Sequence, residues 1–200
     1  MKILLGIPTN RGIKSKTVKS LLDMVAYSQH DFVIVMATEG YTTAENRNYL
    51  AVQALRENAD YLMMVDDDMT FPKDTLEKLL AVEQGIVGVA SNSRALPLST
   101  TVSRMDAEGN YVHPDTLTEE EKELPKEPFK AYGVGGGVIL IDTNVFRVID
   151  RPWFLFTPDP VTGQMLIGED QYFCNRAKEK GYEIWCDPTI TIGHIGDYIY

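Results

Sequence analysis

Asp66, Asp67 and Asp68 stand in a row directly behind the apolar run Tyr61–Val65. A short continuous apolar run bounded by polar residues reads as a buried strand, so the three acids cap a strand end. Carboxylates about 4 Å apart repel by roughly 4 kcal/mol at an effective dielectric of about 20. Such a cluster is either a fully solvated turn or a site where a cation offsets the repulsion. Hard oxygen donors of this type suit Mg²⁺ or Mn²⁺, ions that substrate phosphates commonly share.

Three further groups have chemistry in reach. In Gly168-Glu169-Asp170-Gln171 the second acid opens a helix, where the helix dipole favours its ionised form. Phe173, Cys174 and Ala177 follow at i+3, i+4 and i+7, so Asp170 heads the stripe that faces inward. An ionised carboxylate there serves as a general base, or else simply stabilises the helix start. His194, within Ile192-Gly193-His194-Ile195-Gly196, is either an ordinary histidine or an imidazole partner for a carboxylate-held ion. Gly135, Gly136 and Gly137 allow a ligand to approach the backbone closely, or form a tight turn.

The elements that must carry these groups alternate over the first ninety residues. Lys2–Ile7 reads as a strand, Thr17–Tyr27 as a helix, Phe32–Met36 as a strand and Ala44–Glu57 as a helix with Leu50, Ala51, Ala54 and Leu55 inward. Tyr61–Val65 is the third strand, Pro72 opens a helix running to Leu80, and Ile86–Ala90 is the fourth strand. Alternation of this kind predicts a parallel sheet with helices on its faces. Ligands of such sheets gather at the carboxyl ends of strands, which gathers Pro8–Arg11, Thr38–Gly40 and Asp66–Asp68 at one edge. The regularity breaks at residues 91–131, a polar stretch with glutamates at 119, 120, 121, 123 and 127, read as a mobile excursion over the site or a plain solvated insertion. Order returns with the strand Val138–Ile141, a short helix over Thr143–Ile149, an aromatic and proline-rich loop over Arg151–Leu166, a helix over Asp170–Lys180 stopped by Gly181, a strand over Glu183–Cys186, and a final strand and tail.

Two hundred residues, 44% hydrophobic and 24% charged, suit a single globular domain, 1–200. No apolar run approaches the length of a membrane span, and Met1–Pro8 reads as a first strand rather than a signal peptide. Two cysteines, Cys174 and Cys186, form no disulfide framework and no zinc spacing, which points to a cytoplasmic protein. A net charge of −10 disfavours nucleic acid as a partner; the short stretch Arg11, Lys14, Lys16, Lys19 is the one basic cluster.

In their order these segments resemble a GT-A-fold glycosyltransferase, most like the family 2 group that uses nucleotide-sugar donors. Ile7-Pro8-Thr9-Asn10-Arg11 is similar to the family's first-strand turn, and Asn46-Arg47-Asn48 to its Arg-Asn element. Val65-Asp66-Asp67-Asp68-Met69 with Pro72 resembles the Asp-x-Asp motif and its downstream proline. Gly135–Gly137 before Val138 resembles the glycine-led strand beneath the acceptor. Glu169-Asp170, with Arg176, Gly181-Tyr182 and Asp187-Pro188, resembles the Glu-Asp helix and the strand after it, and His194 falls where relatives place a metal-binding histidine.

The resemblance implies a Rossmann-like GT-A fold of the α/β class, with a mostly parallel central sheet and helices on both faces. Residues 1–90 become a nucleotide-binding half and 132–200 an acceptor and catalytic half. It implies transfer of a sugar from a nucleoside diphosphate sugar to an acceptor hydroxyl of a small molecule or glycan, with inversion expected and retention the open alternative. Asp66, Asp68 and His194 are the expected ligands of Mn²⁺ or Mg²⁺. Pro8, Thr9, Asn10, Arg11, Glu39, Asp66 and Asp67 line the donor, Arg47 or Arg94 pairs with its phosphates, and Asp170, beside Glu169, is the base. Trp153 and Phe154 either stack on a sugar or belong to the core or a lid. The rival readings are a haloacid-dehalogenase-like phosphatase, whose Asp-x-Asp-x-Thr motif Asp66–Thr70 matches but after the third strand instead of the first, a nucleotidyltransferase, and a non-catalytic nucleotide-sugar binding module.

Overall fold

The computed structural model describes residues 1–38, 40, 42–91, 100–112, 116–117 and 123–196. In chain order the first half comprises β1 (Lys2–Pro8), α1 (Ser15–Tyr27), β2 (Asp31–Ala37), α2 (Thr43–Arg56), β3 (Tyr61–Val65), β4 (Met69–Thr70), α3 (Thr75–Ala81) and β5 (Ile86–Val89). The second half comprises β6 (Arg104–Met105), β7 (Tyr111–Val112), β8 (Phe129–Ala131), β9 (Val138–Asp142), α4 (Val145–Val148), β10 (Thr157–Pro158), β11 (Met165–Ile167), α5 (Glu169–Glu179), β12 (Ile184–Asp187) and β13 (Gly193–His194).

Seven strands form the central sheet in the order β2-β1-β3-β9-β5-β12-β8. β1 runs parallel to β2 and β3, and β12 parallel to β5, whereas β9 is antiparallel to both its neighbours and β8 to β12. Five of the seven strands, β1, β2, β3, β5 and β12, therefore run in one direction, and in that sense the sheet is mostly parallel. Simple alternation would seat β5 beside β3, but β9 enters between them and forces the site's two halves to share one sheet.

Strand periodicity sorts the core into two layers. Leu4, Leu62, Met64, Ile139 and Ile141 point to one face and pack with Leu50, Ala51 and Ala54 of α2, Phe146 of α4, and Phe173, Cys174 and Ala177 of α5. Ile3, Leu5, Ile7, Met63, Val65 and Leu140 point to the other, where Leu21 and Met24 of α1 and Leu76 and Leu79 of α3 cover them. Helices lie on both faces, and burial of these side chains is the main stabilising contribution, about 1.5–3 kcal/mol each.

Helix ends follow local chemistry. Thr42 and Glu45 form a reciprocal capping box at the start of α2. Gly181, at φ +84, takes the left-handed conformation that stops α5. The expected helix at Pro72 begins instead at Thr75, because the Pro72 carbonyl accepts from the Thr75 hydroxyl at 2.7 Å and amide at 3.2 Å, closing a turn first. α4 is shorter than Thr143–Ile149 because the Thr143 hydroxyl and amide bond to Ala59 and Asp60 carbonyls across the sheet edge. The loop Arg151–Leu166 contains the β10/β11 hairpin. Within 91–131 the described residues form the β6/β7 hairpin and the sheet strand β8.

Candidate active site

The turn after β1 and the acids after β3 are tied together at the carboxyl edge of the sheet. The Thr9 hydroxyl donates to Asp67 Oδ2 at 2.5 Å and accepts from the Gly12 amide at 3.0 Å, while the Asp67 carbonyl accepts from the Lys14 amide at 2.9 Å. From α2, Asn46 accepts from the Gly40 amide at 2.8 Å, and its side-chain amide meets that of Asn10 at 2.8 Å. Between these groups lies an open cleft of about 410 Å³, lined among others by Pro8, Thr9, Asn10, Arg11, Lys14 and Asp66–Asp68. Its volume falls within the ~300–1,000 Å³ of small-ligand sites.

Beside the cleft, Arg47 is 2% exposed and holds three parts of the chain at once. Its Nη2 donates to Asp66 Oδ1 at 2.8 Å, its Nη1 to the Gly136 carbonyl at 2.8 Å and its Nε to Glu169 Oε1 at 3.2 Å. The neighbouring amide of Gly136 donates to Asp170 Oδ2 at 3.3 Å. A side chain at Gly136 would collide with the guanidinium, so glycine is required for this approach. Burial raises the pKa of Asp66 and of Glu169 above the usual carboxylate range despite the arginine between them, and neighbouring acids add to the rise. Burial alone would lower the pKa of Arg47, but Asp66, Glu169 and Asp170 outweigh it and hold the charge.

His194 reaches the acids through a two-strand ribbon. β13 pairs antiparallel with β4, with His194 opposite Met69, and the Ile195 amide donates to the Asp68 carbonyl at 2.8 Å. His194 Nε2 consequently lies 3.3 Å from Asp68 Oδ1, with Asp68 itself 3% exposed. Among the described residues no three His, Cys, Asp or Glu side chains converge on one point, since Asp66 is turned toward Arg47. One carboxylate and one imidazole nevertheless fit a hard divalent ion that completes its shell with phosphate oxygens and water.

Thus Pro8, Thr9, Asn10, Arg11, Asp66, Asp67 and Asp68 share one cleft, His194 touches Asp68, and Glu169 joins the acids through Arg47. Arg47 faces protein groups rather than the open cleft. Glu39 and Arg94 lie outside the described residues. Trp153 and Phe154 are core: each is 2% exposed, Trp153 donates to the Ile149 carbonyl, and Phe154 stacks on Phe173 at 4.7 Å. Asn48 fixes this loop, accepting from the Trp153 and Phe154 amides and donating to the Phe154 carbonyl. From consecutive positions Asn46 thus bonds Asn10 and Gly40, Arg47 bonds Asp66, Gly136 and Glu169, and Asn48 bonds the Trp153–Phe154 loop. The sequence marked the tripeptide but not these partners, which lie 36, 122 and 106 residues away at the extreme of each set. Both cysteines are buried, their thiols pushed up to about 12 chiefly by burial, which leaves them inert at neutral pH. No helix among the described residues is long and apolar enough to cross a membrane.

No protein-family model matches the sequence, and no curated protein does either. Solved structures do. A197 from STIV superposes with a TM-score of 0.67 at 20% identity, over 98% of this chain and 87% of that one. GalNAc-T7, solved with UDP, GalNAc and Mn²⁺, superposes with a TM-score of 0.60 at 13% identity over 98% of this chain, which spans only 44% of that one. Mannose-1-phosphate geranyltransferase from Thermus thermophilus gives 0.53 at 12% identity, covering 96% and 75%. At these identities the likeness is one of fold: the chain has the Rossmann-like GT-A architecture.

Proposed function

We propose that this chain is a metal-dependent glycosyltransferase that moves a sugar from a nucleoside diphosphate sugar to an acceptor hydroxyl with inversion. One observation carries the reading. Arg47 binds Asp66 at 2.8 Å on the donor side and Glu169 at 3.2 Å beside Asp170, so the acidic cleft and the base candidate belong to one continuous, charge-linked site. The likeness to GalNAc-T7, whose structure holds UDP, GalNAc and Mn²⁺, supports the same reading.

In this mechanism Thr9, Asn10, Arg11 and Glu39 line the nucleoside and Asp67 the ribose. Asp68 and His194 would hold Mn²⁺ or Mg²⁺, and such an ion would supply neutralisation of the charge on a leaving diphosphate. Arg11 and Arg94 pair with phosphate oxygens. Arg47 is a positioning residue that fixes Asp66 and the start of α5 relative to one another. Asp170 accepts the acceptor's hydroxyl proton as that oxygen bonds to the anomeric carbon. The bond from that carbon to the diphosphate oxygen breaks on the opposite side, and the electron pair leaves with the nucleoside diphosphate. Asp66 makes a poor phosphatase nucleophile, because its Oδ1 is already bound to Arg47.

A thermal-shift screen of nucleoside diphosphate sugars, with and without Mn²⁺, tests the proposal. Ligand at a hundredfold excess over Kd stabilises by about 2.7 kcal/mol. For a chain of this size that corresponds to a rise of roughly 5–10 °C, expected only with the ion present. If no member of the panel shifts the transition in Mn²⁺, the donor assignment is wrong.

A further inference from the structure

A second pocket of about 390 Å³, lined by Asp170 and by none of the residues of the acidic cleft, has different chemistry. One wall is aromatic: the rings of Tyr111 and Tyr132 lie 5.3 Å apart at 56°. Tyr132 is braced by Lys178, whose ammonium sits 2.8 Å from the ring centroid. The floor is polar and fixed. The Ser103 hydroxyl donates to Gln171 Oε1 at 3.0 Å, and the Gln171 amide donates to Asn175 at 3.0 Å. Gln171 packs so closely on Gly133 that a Cβ there would overlap its amide, which holds the side chain in place. The opposite wall is apolar, made by Leu166 and Ile167 of β11, and Met165 and Leu166 continue it outward at 65% and 61% exposure. Asp170 is the sole charged side chain among the described lining residues.

Each wall restricts the occupant. A tilted pair of tyrosines offers an apolar ring face to the C–H side of a sugar ring. A fixed serine–glutamine pair bonds hydroxyls. With a carboxylate and no cation among the described lining residues, the pocket disfavours phosphates and other anions. Exposed apolar residues flanking a polar pocket suit an apolar group attached to that ring.

We infer that this pocket is the acceptor site and takes a neutral pyranoside with an apolar aglycone, its ring on Tyr132 and its aglycone along Leu166 and Met165. The inference rests on the transferase reading for the role of Asp170 but names an acceptor class that the reading leaves open. The sugar hydroxyl to be glycosylated points to Asp170, and the aglycone leaves the pocket over β11.

Saturation-transfer NMR tests this on the full chain, with Mn²⁺ and the nucleoside diphosphate selected by the thermal-shift screen. The probes are methyl and n-octyl β-D-glucopyranoside and β-D-galactopyranoside. The octyl compound of at least one pair is expected to bind about tenfold or more tightly than its methyl partner, since each buried methylene contributes roughly 0.8 kcal/mol. Leu166→Ser removes the octyl preference but leaves methyl-glycoside binding in place. Tyr132→Ala weakens both forms about tenfold, whereas Tyr132→Phe, which keeps the ring, retains them. The thermal shift given by the nucleoside diphosphate persists in all three variants, reporting an intact fold and donor cleft. Equal affinity for methyl and octyl forms, or no glycoside binding while that shift persists, overturns the acceptor assignment alone. Absence of the shift in the unaltered protein removes the donor reading and this inference with it.

Discussion

Asp170 lines the second pocket, whereas the acidic cleft is joined to its helix only through Arg47 and Glu169, and the two cavities are built by opposite means. The cleft uses carboxyl groups at a strand end, held by an arginine that is 2% exposed and by the hydroxyl of Thr9. The pocket uses rings, an amide and aliphatic side chains on a hairpin, a loop and a helix face. A charged ligand demands preorganised charge, and charge in a protein must be held in place because it cannot be left unpaired when buried. A neutral ring demands only shape and a few hydroxyl partners, which short irregular segments supply.

The largest expected effect falls on the carboxylate that lines the second pocket. Asp170→Asn lowers kcat by about 10²–10⁴ with acceptor KM little changed, as loss of a general base does. Near-normal turnover by the folded variant would show that another group takes the proton.

Arg47→Met separates the two regions by stability. It strands Asp66 and Glu169 without their cation, and breaking a buried ion pair costs about 3–5 kcal/mol. Urea unfolding measures this. A loss under about 1 kcal/mol would mean that the acids solvate or protonate easily and that the cleft does not depend on its arginine.

The smallest effect belongs to the neutral side. Burial lowers the pKa of Lys178 from 10.5 to about 8. Between those values the unfolded chain holds a proton that the folded chain has released, so this contribution to stability rises with pH across that window. Unfolding curves collected from pH 7 to about pH 10 should show this rise, and Lys178→Met should flatten it. An unchanged slope in the variant would assign the titration to another group.

Much of the framework was legible in the chain. The strands β1, β2, β3, β5, β9 and β12 coincide with apolar runs to within a residue or two; all but β2, the edge strand on which Ile34 and Met36 are exposed, are buried on both faces and so continuously hydrophobic. The inward stripe of α5 was legible for the same kind of reason: Phe173, Cys174 and Ala177 recur at helical spacing. By contrast β4, β8, β10, β11 and β13 are two or three residues long and carry no period, so only their partners define them. The Trp153–Phe154 pair reads as a sugar platform or as core by composition alone, and packing against Phe146 and Phe173 decides for the core. The aromatic pair beside Asp170 comes from Tyr111 and Tyr132, which nothing in the local sequence joins.

By itself the sequence determined which residues sit at strand ends and helix starts, because burial and hydrogen bonding set those positions within a few residues. Tertiary structure alone decided which of them meet. Arg47 became a buried bridge, not a surface cation, because α2 packs where β3, Gly136 and α5 converge. His194 became a neighbour of Asp68 because a ribbon of two-residue strands carried it there from 126 positions away. Contacts over such separations depend on the closed sheet and its packed faces, and no local preference encodes them.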